Sequence, residues 1–150
     1  MQQHQEPSRA SLPVLPCACA NLRRAARAVT RLYNQALRPV GIEITQFTLL
    51  VALSLTDEIT QGDLADLLAL DSTTLTRVLS LVKKRRWVQI RQGQDRRQRL
   101  VSLTTTGREK LRHSMPRWTQ AQADLEKAVG RDAFAQLGGL LAHTAARSMS

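Results

Sequence analysis

Aromatic side chains are scarce in this 150-residue chain: Tyr33, Phe47, Trp87, Trp118 and Phe134 are all there are, 3% of the residues. The core must therefore be aliphatic, and binding of single-stranded nucleic acid by serial base stacking is excluded. The chain has two cysteines, Cys17 and Cys19, too few and too close together for a disulfide framework. His4, His113 and His143 are scattered; they show neither metal-ligand spacing nor a nucleophile–base pair. The sequence therefore offers no catalytic residue, metal site or cofactor motif, and the expectation is a protein that is not an enzyme. No apolar run approaches the length of a membrane span. The Leu12–Ala20 stretch contains prolines and lacks a basic segment ahead of it, which argues against a secretory signal. Pro16 precedes Cys17 where a lipoprotein cleavage site needs a small residue. A soluble cytoplasmic protein without a membrane partner is expected, folded as one compact unit behind a polar arm over residues 1–15.

Positive charge is abundant, and it is concentrated. Between Arg77 and Arg112 twelve Lys/Arg face two Asp/Glu, an excess equal to the whole net charge of +10. The other residues hold ten basic and ten acidic side chains and cancel. A positive field gathered into one folded stretch is the electrostatic footprint of a polyanion partner.

Apolar spacing predicts the elements. Leu22, Ala25, Ala26, Val29, Tyr33, Ala36 and Leu37 recur at helical intervals, with Pro39 and Gly41 closing that helix. Thr45 is the expected N-cap of a second helix with Phe47, Leu50, Val51 and Ser54 on one side. Thr60 and Asp63 resemble a capping box for a short helix burying Leu64, Leu67 and Leu68. Asp71 caps the next helix, which buries Leu75, Val78, Leu79 and Val82 and runs to about Arg85. Alternation from Trp87 to Arg91 and from Arg99 to Leu103, around a turn with Gly93, predicts a hairpin. Thr104 caps a long helix with Leu111, Met115, Trp118, Gln122, Leu125 and Val129 near heptad spacing, bent slightly at Pro116. After Gly130, Asp132 caps a last helix with Phe134, Leu137, Leu141 and Ala145 on its apolar face. Two short helices followed by a basic hairpin read as a helix-turn-helix with a wing. The fold class is mainly α with a small β-wing.

The apolar stripes at both chain ends exceed what a central winged helix of this size covers. A second copy of the chain would bury them, making a homodimer. Gly138-Gly139 within a helix costs roughly 1 kcal/mol each relative to Ala, which suits close approach of another helix or, alternatively, a frayed end.

The run Asp95-Arg-Arg-Gln-Arg-Leu-Val-Ser-Leu-Thr-Thr-Thr-Gly107 resembles the wing and following helix start of MarR-type transcriptional regulators, with their Asp-x-Arg, strand, Leu-Thr-x-x-Gly pattern. Leu70-Asp-Ser-Thr-Thr-Leu-Thr-Arg77 is similar to their recognition-helix start. The resemblance implies a winged helix-turn-helix over residues 43–105 and a helical dimerisation region from residues 16–42 and 106–148. It further implies a pseudo-palindromic operator of double-stranded DNA, and a small-molecule effector bound between the two regions, with Tyr33, Phe47 and Trp118 as candidate pocket residues. Asp95 would support the wing by holding its arginines through a charge-assisted bond. Where the family usually has Gly after the recognition helix, this chain has Arg86, which in a left-handed conformation costs roughly 1–2 kcal/mol.

The residues themselves suit DNA. Ser72, Thr73, Thr74 and Thr76 place short hydroxyls at the start of the recognition helix, and Arg77 can bond a guanine edge or a phosphate. Lys83, with Lys84, Arg85 and Arg86, suits phosphates or a solvated helix end. Arg96 and Arg97 near the wing tip suit a narrow minor groove, against the plainer reading of a solvated hairpin. A repressor is the leading reading. Two alternatives stand: a redox-sensing regulator acting through Cys17 and Cys19, and an effector-independent architectural nucleic-acid-binding protein. On one helix, residues two apart point to nearly opposite sides, which disfavours a bridge between these cysteines.

Overall fold

A computed structural model describes residues 13–148. The expected arm, residues 1–15, falls outside the described residues except for Pro13–Leu15. That short piece lies against the first helix: Asn21 Oδ1 accepts from the Leu15 N–H at 3.1 Å, and Arg24 donates to the Pro13 carbonyl at 2.9 Å.

The elements run α1 (Ala18–Leu37), a 3-10 turn (Arg38–Val40), α2 (Ile44–Ser54), β1 (Ile59–Thr60), α3 (Gln61–Leu68), α4 (Ser72–Lys84), β2 (Val88–Gln92), β3 (Arg99–Leu103), α5 (Thr105–Val129) and α6 (Arg131–Ser148). The strands form an antiparallel sheet in the order β1-β3-β2. β3 pairs Val101 with Ile90 on one side and with Ile59 on the other. β1 was not foreseen, since two residues carry no readable alternation. No single helix among the described residues is long and apolar enough to cross a membrane.

Capping explains most boundaries. Asp71 accepts from the Thr74 N–H at 2.8 Å, Thr60 from the Asp63 N–H at 3.1 Å, and Thr104 from the Gly107 N–H at 3.0 Å. Each satisfies an amide that the helix itself leaves unpaired. Two expected caps are displaced. Helix α2 starts from Glu43 rather than Thr45, because Gln46 Oε1 accepts from the Glu43 N–H at 3.4 Å and Asn34 Oδ1, reaching over from α1, accepts from the Ile44 N–H at 2.7 Å. Helix α6 begins ahead of Asp132, with the Gly130 carbonyl accepting from Phe134.

The main core gathers Leu50, Leu53, Leu64, Leu75, Leu79, Val82 and Val101, all essentially without exposure. Helix α2 is buried nearly all round, with Gln46, Leu49, Ala52 and Leu53 joining Phe47 and Leu50, so the expected one-sided stripe is too narrow. A helix apolar on every side belongs inside. The expectation for α3 was too wide: Leu64 is buried but Leu67 is 59% exposed. A second cluster joins Tyr33, Ala121 and Leu125 to Val29, Ala36 and Phe134, and Trp118 packs against both clusters. The α5 stripe is thus split. Ser114, Ala121 and Leu125 are buried, while Met115 and Val129 are exposed.

Helix α6 buries no residue of its own, and Leu140 and Leu141 are exposed. A Cβ placed on Gly138 or Gly139 would have nothing within 4 Å. Among the described residues, no backbone outside the helix itself approaches these glycines.

Candidate nucleic-acid interface

Helix α4 turns Leu75, Val78, Leu79 and Val82 inward. Its outer side, Ser72, Thr73, Thr76, Arg77, Ser80 and Leu81, lines a shallow groove of about 460 Å³. Arg77 and Lys83 are exposed there. Two of the four hydroxyl residues named from sequence are already engaged. The Thr74 hydroxyl donates to Asp71 Oδ2 at 2.6 Å, while that carboxylate also takes the Thr74 amide. These bonds hold the Asp71 carboxyl below its usual range and make Thr74 part of the cap. The Thr76 hydroxyl donates to the Ser72 carbonyl at 2.7 Å and accepts from Gln61 Nε2 at 3.3 Å, tying α4 to α3. Ser72 and Thr73 remain outward. Gln61 escaped the sequence reading because its partner lies 15 residues away.

The wing is a five-pair ladder from Val88–Leu103 to Gln92–Arg99. Its tip is closed by the Gly93 N–H donating to the Gln98 carbonyl at 2.9 Å, and by the Gln98 N–H donating to the Asp95 carbonyl at 2.9 Å. Gly93 is not in the left-handed region; a Cβ there would come 2.9 Å from that of Gln98. Closeness, not torsion, is what this position requires. Asp95 accepts from the Arg97 backbone N–H at 2.9 Å. It therefore supports the wing through the main chain rather than through a guanidinium, which corrects the expectation. Among the described residues Arg77, Arg96, Arg97 and Arg99 have no carboxylate within ion-pair distance. Arg91 differs. Its guanidinium forks onto the Glu58 carboxylate, which raises its pKa and pins β2 to the segment before β1. Glu58 carries no local sequence signal for this role, being 33 residues from Arg91.

Wing and helices meet in one cleft. Arg97 and Arg99 line a groove of about 360 Å³ together with Thr60, Gln61, Gly62 and Ser72. Two wing arginines without a carboxylate partner, Arg97 and Arg99, and the start of α4 thus lie along one polar, cationic border.

The junction behind them is tightly built. Arg86 has φ +60°, the left-handed conformation expected from its place. Its N–H donates to the Lys83 carbonyl at 2.8 Å, and the Trp87 N–H donates to the Val82 carbonyl at 3.0 Å, the bond pair of a Schellman cap. Ala69, φ +49°, ends α3 with the same pattern, which no residue type there announces. The Thr104 hydroxyl donates to the Arg86 carbonyl at 2.6 Å. Arg85 stacks over Trp87 at 5.0 Å and donates to the Gly41 carbonyl at 2.7 Å. Lys110 stacks on the same ring at 5.1 Å; burial, and then Arg85, lower its pKa. Arg85 is thus a packing residue of the helix end.

Between α2 and α5 lies an apolar cavity of about 470 Å³ lined by Phe47, Val51, Leu111, Met115 and Trp118, with Arg108 and Arg112 at its edge. Phe47 and Trp118 stack at 5.7 Å. Tyr33 is not part of this lining. It lies in the second cluster, where its hydroxyl donates to Gln122 Oε1 and burial raises its pKa. Cys17 and Cys19 are exposed thiols. Cys17 is extended at the N-cap, outside the helix, so the opposite-sides argument for two helical residues does not hold. Arg23 lies 3.4 Å from Cys19 Sγ.

Three comparisons place this arrangement among known proteins. Residues 40–98 match the family model described as MarR family. An uncharacterised HTH-type transcriptional regulator of Bacillus subtilis, YwoH, is 32% identical over 89 residues, 59% of this chain and 65% of that protein's length. The crystal structure of the Mycobacterium tuberculosis transcriptional regulator MosR in complex with DNA superposes with a TM-score of 0.71 at 36% identity, covering 85% of this chain and 98% of that one. A mutant of MarR from E. coli complexed with operator DNA gives a TM-score of 0.75 at 27% identity, covering 84% and 91%.

Proposed function

Because the chain belongs to the MarR family, we propose that it is a DNA-binding transcriptional regulator, a repressor that occupies a pseudo-palindromic operator as a cytoplasmic homodimer. Residues 43–105 form the DNA-binding unit, and residues 16–42 with 106–148 form the dimerisation region. The observation that carries this reading is the shared cleft of Arg97 and Arg99 with the start of α4. It sets α4 for a major groove while the wing follows the backbone into the adjoining minor groove. Arg77, Ser72 and Thr73 supply base or phosphate contacts on α4, and Lys83 sits where a phosphate passes. The exposed Leu140 and Leu141 and the open Gly138–Gly139 support pairing with a second copy, which would give two recognition helices about one DNA turn apart.

A small apolar effector in the α2–α5 cavity would release the complex. Phe47 belongs to the winged unit and Trp118 to the dimerisation region, so filling the space between them shifts one relative to the other. The cysteines support a second reading, release by oxidation, favoured by the Arg23 guanidinium beside Cys19. Footprinting of the full chain on genomic fragments tests the proposal. A short protected inverted repeat is the expected result. Protection that lengthens in proportion to added protein would instead indicate an architectural coating protein.

A further inference from the structure

The outer side of α4 carries one apolar side chain. Ser72, Thr73, Thr76, Arg77, Ser80, Lys83 and Lys84 are exposed and polar; Leu81, 46% exposed, stands among them and lines the same groove as Ser72 and Arg77. Its position does not follow from the core, since Leu75, Val78, Leu79 and Val82 already fill the inward face. Leu81 follows Thr73 and Arg77 at four-residue intervals, so the three lie along one ridge. Helical side chains lean toward the N-terminus, which brings Leu81 toward Arg77.

We propose that Leu81 is a specificity-determining residue that reads the C5-methyl group of a thymine in the operator. The inference rests on α4 being the DNA-reading helix. Among the four base pairs, that methyl is the one apolar group displayed in the major groove, and Leu81 is the one wholly apolar side chain on a reading face whose other exposed residues carry hydroxyls or charge. A helical turn rises about 5.4 Å against roughly 3.4 Å per base pair. The thymine therefore lies about one or two base pairs from the base or phosphate that Arg77 engages. Arg77 and Leu81 would read neighbouring positions by different chemistry, one by hydrogen bonds and charge, the other by apolar contact.

The test starts from an operator selected by the full chain from randomised duplexes. Each thymine is then replaced in turn by deoxyuridine, which removes the methyl and leaves base pairing intact. Burial of one methyl implies a loss of about three- to fivefold in affinity at one thymine per half-site. That loss should vanish in Leu81→Ala and persist in Leu81→Met, with both variants keeping the wild-type melting temperature. Indifference of the wild type to deoxyuridine at every position overturns the proposal. So does a Leu81→Ala variant that retains the same loss at the same thymine. Failure of the selection to enrich any sequence removes the DNA-reading role of α4, and this inference with it.

Discussion

The carbonyl oxygen of Trp87 lies only 2.0 Å from where a Cβ on Gly107 would stand. The obstacle is backbone, and that same oxygen accepts the Thr104 N–H at 3.1 Å, so it cannot swing away without breaking the start of α5. This gives the Leu-Thr-x-x-Gly pattern a physical content: Thr104 caps the helix and Gly107 lets its first turn lie against the end of α4. Gly107→Ala should destabilise the fold by about 3 kcal/mol, the upper part of the overpacking range. Urea denaturation measures it, and a loss below about 1 kcal/mol would contradict the packing described.

Arg86 and Ala69 both occupy left-handed helix ends that Gly fills without steric cost. Arg86→Gly and Ala69→Gly should each raise the unfolding free energy by about 1 kcal/mol, and the double variant by about their sum. Thermal melts follow both. A lowered melting temperature in either would show that its side chain contributes more than the strain removes.

The wing arginines divide by their partners. Arg97→Ala should reduce the slope of log affinity against log salt by about 0.9, as expected for one lost phosphate contact. Arg91, already paired with Glu58, should leave the slope unchanged when replaced by Ala, whatever the effect on affinity. Salt titrations on one operator distinguish the two. Equal slopes for both variants would remove Arg97 from the DNA contact.

Asp71 ties stability to acidity. Its pKa in the folded chain is held down by the Thr74 hydroxyl and amide. Its stabilising contribution is therefore complete above the unfolded carboxylate value, about 3.9, and is lost as pH falls through the lower folded value. Asp71→Asn retains a cap but cannot titrate. The difference in urea midpoint between wild type and this variant should shrink between pH 6 and pH 3. A constant difference would show that the cap is insensitive to the charge.

The two readings of release differ in a single assay. Under small-molecule release, peroxide leaves the operator complex of wild type intact. The Cys17→Ser, Cys19→Ser double variant then folds, dimerises and binds as wild type does. Peroxide-driven dissociation that disappears in the double variant would make the exposed thiols the sensor.

What could be read from the sequence was local. Asp71, Thr60 and Thr104 cap residues three positions away, and the Arg86 turn follows from its place between α4 and β2. Features made by distant partners were hidden. Asn34 completes the start of α2, Glu58 holds Arg91, and Gln61 braces Thr76, each across a separation over which periodicity carries no information. The left-handed Ala69 was hidden for the opposite reason: its residue type contradicts its conformation. Tyr33 lies in the second cluster and not along the α2–α5 cavity, because its helical stripe does not reveal which of two apolar clusters receives it. Arg85, expected to suit a phosphate or a solvated helix end, is exposed and also lies over the Trp87 ring, a contact that spacing along the helix does not reveal.

Thr104 is where β3 stops, α5 starts and the end of α4 is fastened. Its amide, its carbonyl and its hydroxyl are all in use, toward Trp87, Arg108, Gly107 and Arg86. Four hydrogen bonds thus converge on one residue, so any substitution at Thr104 disturbs the start of α5, the end of β3 and the turn after α4 together.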